Sequence, residues 1–216
     1  GALGGQARHL FHTAAGEDIS EKLADLVRDV STEPRIQVYL NTTLAAVEGF
    51  VGNFRTTLDT DGTESTVEHG VAVMATGAAE LKPAEYGYGR DPRIITGQAL
   101  DERLMADDPT LKDLSAAVFI QCVGSREPDR PYCSRVCCTH TMVAALELKQ
   151  RSPDANVYVL YRDIRTYGER EALFKAARAA GVVFIRYSLD DKPRVEIGDD
   201  GVTVQVTDHV LGRRLD

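Results

Sequence analysis

The sequence predicts an α/β protein built around a parallel sheet, and three observations lead there. First, Ala116-Ala117-Val118-Phe119-Ile120, Val157-Tyr158-Val159-Leu160-Tyr161 and Val182-Val183-Phe184-Ile185-Arg186-Tyr187 are short apolar runs, the pattern of strands buried on both faces. Second, the stretches between them read as helices, over residues 142–149 and 169–180, the latter stopped by Gly181. Third, the resulting β–α–β–α–β order makes half a doubly wound sheet, with right-handed crossovers.

Taken in order, the chain opens glycine-rich with Gly1-Ala2-Leu3-Gly4-Gly5. Ile19, Leu23, Leu26, Val27 and Val30 recur at helical spacing, Asp18 or Ser20 can cap that helix, and Pro34 bars its continuation. Ile36-Gln37-Val38-Tyr39-Leu40 alternates as a strand. Three more strands are expected near residues 44–48, 53–58 and 65–69, as a small antiparallel meander. Gly70-Val71-Ala72-Val73-Met74-Ala75-Thr76-Gly77-Ala78 reads as a buried strand ending in a glycine turn. Residues 80–93, rich in Pro, Gly and Tyr, form a loop. Thr96 caps a helix through Met105, which Asp107-Asp108-Pro109 ends, and a domain boundary is expected at residues 111–115. Beyond the third parallel strand, Arg194-Val195-Glu196-Ile197 and Val202-Thr203-Val204-Gln205-Val206 make a hairpin.

Composition narrows the function classes. With 216 residues the chain holds one large domain or two small ones, and its 43% hydrophobic and 27% charged content is ordinary for a globular protein. A net charge of −8 disfavours nucleic acid as a partner. No run approaches a membrane span and none reads as a signal peptide, so direct membrane insertion is not expected and a cytoplasmic location is.

All four cysteines fall in one stretch, Cys122, Cys133, Cys137 and Cys138, spaced Cys-x10-Cys-x3-Cys-Cys. Cys122 follows the first parallel strand, at the carboxyl edge where open α/β sheets collect ligands. The other three lie just before the next helix or in its first turn, where the helix dipole favours thiolates. Arg126 and Arg135 can offset an anionic centre. Disulfides suit a reducing compartment poorly. Structural zinc usually takes two spaced cysteine pairs rather than an adjacent doublet. Neighbouring helix residues point about 100° apart, which suits a bulky multi-iron cluster better than one ion. The spacing therefore ranks iron–sulfur first, zinc second, redox-active thiols third and inert buried cysteine last.

Cys122-Val123-Gly124-Ser125-Arg126, Tyr132-Cys133-Ser134-Arg135-Val136-Cys137-Cys138 and Tyr161-Arg162-Asp163-Ile164-Arg165-Thr166-Tyr167-Gly168 closely resemble the HdrA family of heterodisulfide reductases, including its relatives in quinone-interacting complexes. The resemblance implies a thioredoxin-reductase-like flavoprotein with two dinucleotide-binding domains. Residues 1–112 would be a partial FAD-binding domain, and Gly4, Gly5, Ala75, Thr76 and Gly77 its remaining cofactor contacts. Residues 113–210 would be the Rossmann-like counterpart of the NAD domain, with Cys122, Cys133, Cys137 and Cys138 holding a 4Fe–4S cluster. Residues 211–216 would begin a return to the FAD domain. Ferredoxin and other redox subunits are the implied partners. The chain contains no G-x-G-x-x-G, so weak or absent FAD binding is expected.

The connection after the first parallel strand holds Cys122 through Cys138 with Gly124 as its one glycine, so it reads as converted from diphosphate binding to cluster binding. Asp163 is expected to be a solvated or salt-bridged loop residue rather than a ribose contact, and His140 an exposed helical histidine. Two other functions stay open on the residues: a zinc-stabilised interaction module, and a pyridine-nucleotide disulfide reductase using Cys137 and Cys138.

Overall fold

The chain, described over all 216 residues in a computed structural model, packs as two units. One comprises Gly1–Arg8 with Ile19–Ala79, the other His9–Asp18 with Glu80–Asp216.

The first unit holds α1 (Ile19–Thr32) and an antiparallel sheet, β1 (Thr42–Phe50), β2 (Asn53–Thr60) and β3 (Thr63–His69), in that order. The expected helix and meander both form. Asp61 and Gly62 take φ of 50° and 85° in the β2–β3 turn, the left-handed pair that a two-residue hairpin needs. On the sheet, Thr56 Oγ1 lies 2.7 Å from His69 Nε2, and Phe54 stacks on that imidazole.

Two expected strands are absent. Residues 36–40 are irregular, and residues 70–78 run without a strand partner. Val73 is 84% exposed and Met74 74%, so this is not a buried strand. An apolar run becomes a central parallel strand only where neighbours accept its backbone hydrogen bonds and layers cover both faces. Within this chain the sheet β1-β2-β3 supplies neither.

The second unit begins its regular structure with α2 (Gly97–Met105), capped as expected by Thr96, whose hydroxyl accepts from the Ala99 amide. Next come β4 (Ala116–Ile120), α3 (Cys137–Arg151), β5 (Asn156–Tyr161), α4 (Glu171–Ala179) and β6 (Val183–Arg186). The three strands pair in parallel in the order β4-β5-β6. β5, the central strand, buries Val157, Val159 and Leu160 almost completely, whereas β4 lies at an edge and is only partly covered. The expectation that β4 is buried on both faces fails: Ala117 and Phe119 pack into the core, but Val118 on the opposite face is 37% exposed, so no layer covers that face fully.

α3 lies over this sheet. Met142, Ala145 and Leu148 meet Val157 and Val159, and Ala177 and Val182 extend the same cluster. Leu100, Leu104 and Leu111 belong to it too, so residues 80–112 pack with the parallel sheet. The two packing units divide after Ala79. The apolar face of α2 finds its complement in α3, and Ser152 Oγ ties Leu111 and Lys112 to the end of α3 through their carbonyls.

The expected hairpin is present as β7 (Arg194–Ile197) and β8 (Val202–Asp208), and β9 (Arg213–Leu215) pairs antiparallel to β8. Residues 213–215 close this small sheet. Val206 of β8 packs with Leu160, Ile185 and Tyr187. The 80–93 loop turns through Tyr86 and Gly87 at positive φ, and Gly87 lies so close to Ile197 that a Cβ there would approach its Cδ1 to 2.9 Å.

Leu104→Ala removes a side chain 2% exposed from the α2–α3 seam and is expected to cost about 2–5 kcal/mol in urea denaturation. Val73→Ser, at a solvent-facing position, should stay within about 0.5 kcal/mol of the parent chain. A large loss at Val73 would restore the buried-strand reading.

Candidate metal centre

The four cysteines meet where β4 ends and α3 begins. Cys122 follows β4 by two residues, and Cys137 and Cys138 are the first residues of α3. All four are free thiols; Cys122 and Cys138 are buried, Cys133 and Cys137 partly so. Their charges act on one another: Cys137 bears on Cys122, and Cys122 and Cys133 bear on Cys138. No three His, Cys, Asp or Glu side chains converge on one point as a single metal ion would require.

The connecting loop is held in unusual backbone geometry. Cys122, Arg126 and Arg135 take left-handed φ of 63°, 58° and 63°, alongside Gly124 at 62°. A non-glycine residue there costs on the order of 1 kcal/mol, so three in one loop mark a conformation enforced by its surroundings. Several anchors do so. The Arg126 amide donates to the Tyr132 carbonyl, closing residues 126–132 into a turn. Arg162 donates to the carbonyls of Ser125 and Arg126. The Tyr187 hydroxyl, on a residue 4% exposed, donates to the Gln121 carbonyl at 2.5 Å. Gly124 lies against Leu81, whose Cδ2 would clash with an added Cβ.

Two of the sulfurs accept hydrogen bonds. The Arg126 guanidinium reaches Cys122 Sγ at 3.8 Å, and the Arg135 amide reaches Cys133 Sγ at 3.3 Å. The Ser134 side chain and the Arg165 amide favour charge on Cys137 and Cys138 respectively, and the Cys138 thiol faces the Asp163 carbonyl at 3.8 Å. The first turn of α3 has no side-chain cap, because Val136 stands at the N-cap. Its free amides and the helix dipole add positive potential beside the thiols.

The thiols nonetheless differ. The hydrogen bond that Cys137 donates to Cys138 raises the Cys137 pKa, and burial raises it further. Accepting that bond brings Cys138 down to about 7, against the opposing effect of burial. Burial raises Cys122, with Arg126 pulling the other way. One thiolate forms readily at neutral pH; four side by side need cationic charge among them.

Asp163 is salt-bridged, as expected, to Arg126 at 2.5 Å and Arg186 at 3.7 Å. His140 departs from expectation. Its side chain is 27% exposed, and Nε2 lies 2.9 Å from the buried Asp101 carboxylate, which also accepts from the Phe11 amide. The helix pattern shows a histidine shortly after the cysteines, but Asp101 lies 39 positions away and nothing local reveals the pairing. Tyr187 and Arg162 also escape sequence reasoning as loop anchors, since each acts through an atom brought near by the fold.

In the first unit, Gln6 Nε2 donates to the Ala78 carbonyl at 2.8 Å, so the Gly4–Gly5 turn and the Ala75-Thr76-Gly77 segment lie side by side. Gly4, at φ 112°, is wedged where a Cβ would meet Arg8 and Leu23 within 3 Å, whereas Gly77, at φ 64°, faces open space.

Gly124→Ala is expected to cost about 1–2 kcal/mol by urea denaturation, chiefly from left-handed backbone strain because the Leu81 side chain can swing aside. Combining it with Leu81→Ala should recover only a small part of the loss. For His140, burial opposes the charged form, but the Asp101 carboxylate holds its pKa above the ordinary value of 6.5. A raised folded pKa stabilises fully below about pH 6.5 and loses that stabilisation as pH climbs through the folded value. The stability gap between the metal-free parent chain and His140→Gln should therefore narrow as pH rises; a gap that widens would reject the assignment.

No family model matches the chain. It is similar to the A-subunit of H(2):CoB-CoM heterodisulfide,ferredoxin reductase from Methanothermobacter marburgensis, 36% identical over 173 residues, covering 72% of this chain and 26% of that protein. The A-subunit of H(2)/formate:CoB-CoM heterodisulfide,ferredoxin reductase from Methanococcus maripaludis is 34% identical over 172 residues, covering 71% and 26%. The first iron-sulfur A-subunit of CoB--CoM heterodisulfide reductase from Methanopyrus kandleri is 34% identical over 181 residues, covering 73% and 26%. The chain spans about a quarter of the length of these relatives. With an α/β unit that gathers four free thiols at a strand end and a helix start, and with these relatives, the chain belongs to the HdrA family of heterodisulfide reductases.

Proposed function

We propose that this chain is an electron-transfer segment of an oxidoreductase complex, and that Cys122, Cys133, Cys137 and Cys138 hold a 4Fe–4S cluster. The observation that carries the reading is the gathering of four free thiols at one strand end and helix start, with a guanidinium and an amide directed at two of the sulfurs. Inert buried thiols need no such donors, whereas thiolate ligands are stabilised by them. The donor set fits the group: four free thiols, the ligand type that iron–sulfur clusters take. A cluster of four irons takes one cysteine at each corner, so its ligands need not converge on a point as zinc ligands do.

When bound, the cluster would supply one-electron redox chemistry. The chain's own residues do the rest. Cys122 and Cys138 provide ligands from the buried side, and Cys133 and Cys137 from the side nearer solvent. The Arg135 amide and the Arg126 guanidinium orient two of the sulfurs. The first turn of α3 offsets their negative charge.

The remaining assignments complete the proposal. Gly4, Gly5, Ala75, Thr76 and Gly77 form one edge of an FAD site in the first unit, and binding of FAD by this chain alone is weak. The parallel-sheet unit is the counterpart of a nicotinamide-binding domain whose diphosphate turn is occupied by cysteines. Names of the relatives mention ferredoxin and the CoB-CoM heterodisulfide. By similarity, ferredoxin and other subunits of a heterodisulfide reductase-like complex are the partners proposed for the whole protein.

Anaerobic reconstitution with iron and sulfide tests this. The chain should take up both and show a broad visible absorption that bleaches with dithionite, while Cys133→Ala and Cys137→Ala lose it. Stoichiometric zinc in place of iron would reject the cluster. Thiol-dependent NADH oxidation would favour a disulfide reductase using Cys137 and Cys138.

A further inference from the structure

Two arginines border the cysteines, and the structure separates their roles. Arg135 is exposed and serves Cys133 through its backbone amide, not its guanidinium. Arg126 does the opposite. Its side chain is 16% exposed, Nη1 points to Cys122 Sγ at 3.8 Å, and Nη2 is clamped by Asp163 Oδ2 at 2.5 Å. Its backbone is fixed as well, by the left-handed φ, the bond to Tyr132 and the bond that Arg162 donates to its carbonyl. The cation is thus held in place from both ends, against the more buried side of the thiol cluster.

We infer that Arg126 sets the reduction potential of the centre, an inference resting on the cluster proposed above. Accepting one electron, with no proton, makes a thiolate-bound centre one charge more negative. A guanidinium hydrogen-bonded to a ligand sulfur stabilises that added charge, and more strongly where water is excluded. Arg126 therefore favours the reduced state. Asp163 is a positioning residue: it holds the planar fork so that one nitrogen faces the carboxylate and another the sulfur, which the point charge of a lysine cannot reproduce.

The test uses the whole chain reconstituted anaerobically as wild type, Arg126→Gln, Arg126→Lys and, as a control, Arg130→Gln, an exposed arginine of the same loop. Iron and sulfide are counted first, and the midpoint potential is then read by dithionite titration followed by electron paramagnetic resonance. The expected order is wild type highest, Arg126→Lys lower and Arg126→Gln lowest, with Arg130→Gln at the wild-type value. Arg126→Gln at the Arg130→Gln potential overturns the inference while leaving the cluster standing; if the Gln variant does not load, the Lys variant at that potential does the same. A wild-type chain that takes up no iron and sulfide overturns both.

Discussion

The packing of α3 on the central strand β5 is the contact on which the second unit depends. Met142, Ala145 and Leu148 meet Val157 and Val159, all almost completely buried. A helix docked along its length cannot shift at one end alone, so this seam also fixes where its first turn begins. That turn carries Cys137 and Cys138. The same core takes in Leu100 and Leu104 of α2, which is why residues far before the sheet share it. Burial of apolar surface, at roughly 25 cal/mol per Å2, thus sets the position of groups that are themselves polar and reactive.

Electrostatics then decides what that position can hold. Four thiols within each other's field resist joint ionisation, since each thiolate raises the cost of the next. The chain counters with the Arg135 amide, the Arg126 guanidinium and an uncapped helix start. These partial charges lower the cost without cancelling it. The cluster proposed above would place a cationic inorganic core among them and offset the charge that remains. This reasoning also tells against NADH at the same turn, whose diphosphate would add negative charge where negative charge is already in excess.

Much of this was legible in the sequence because it depends on local pattern. The helix over residues 142–149, the parallel runs, Thr96 as a cap, Gly181 as a stop and the small antiparallel meander all follow from residue type and spacing. The cysteine block was legible for the same reason: its members are close in the chain. What escaped depends on contacts distant in sequence. Asp101 finding His140, Tyr187 reaching the Gln121 carbonyl and Arg162 bracing the 125–126 backbone join elements that only the fold brings together. The grouping of residues 80–112 with the parallel sheet belongs to the same class.

The misplaced strands show a further physical limit. Residues 70–78 and Ala116–Ile120 are both apolar runs of the type found in buried parallel strands, yet the first is unpaired and the second lies at an edge. Apolar composition reports only that a segment gains free energy when covered. It does not say whether the cover exists within the same stretch of chain, because hydrogen-bonding neighbours are supplied by other segments. β5 is buried since β4 and β6 flank it and α3 lies above it. For Val71, Val73 and Met74 this chain provides no equivalent, and their exposure is the consequence of an unmet requirement rather than of a polar sequence.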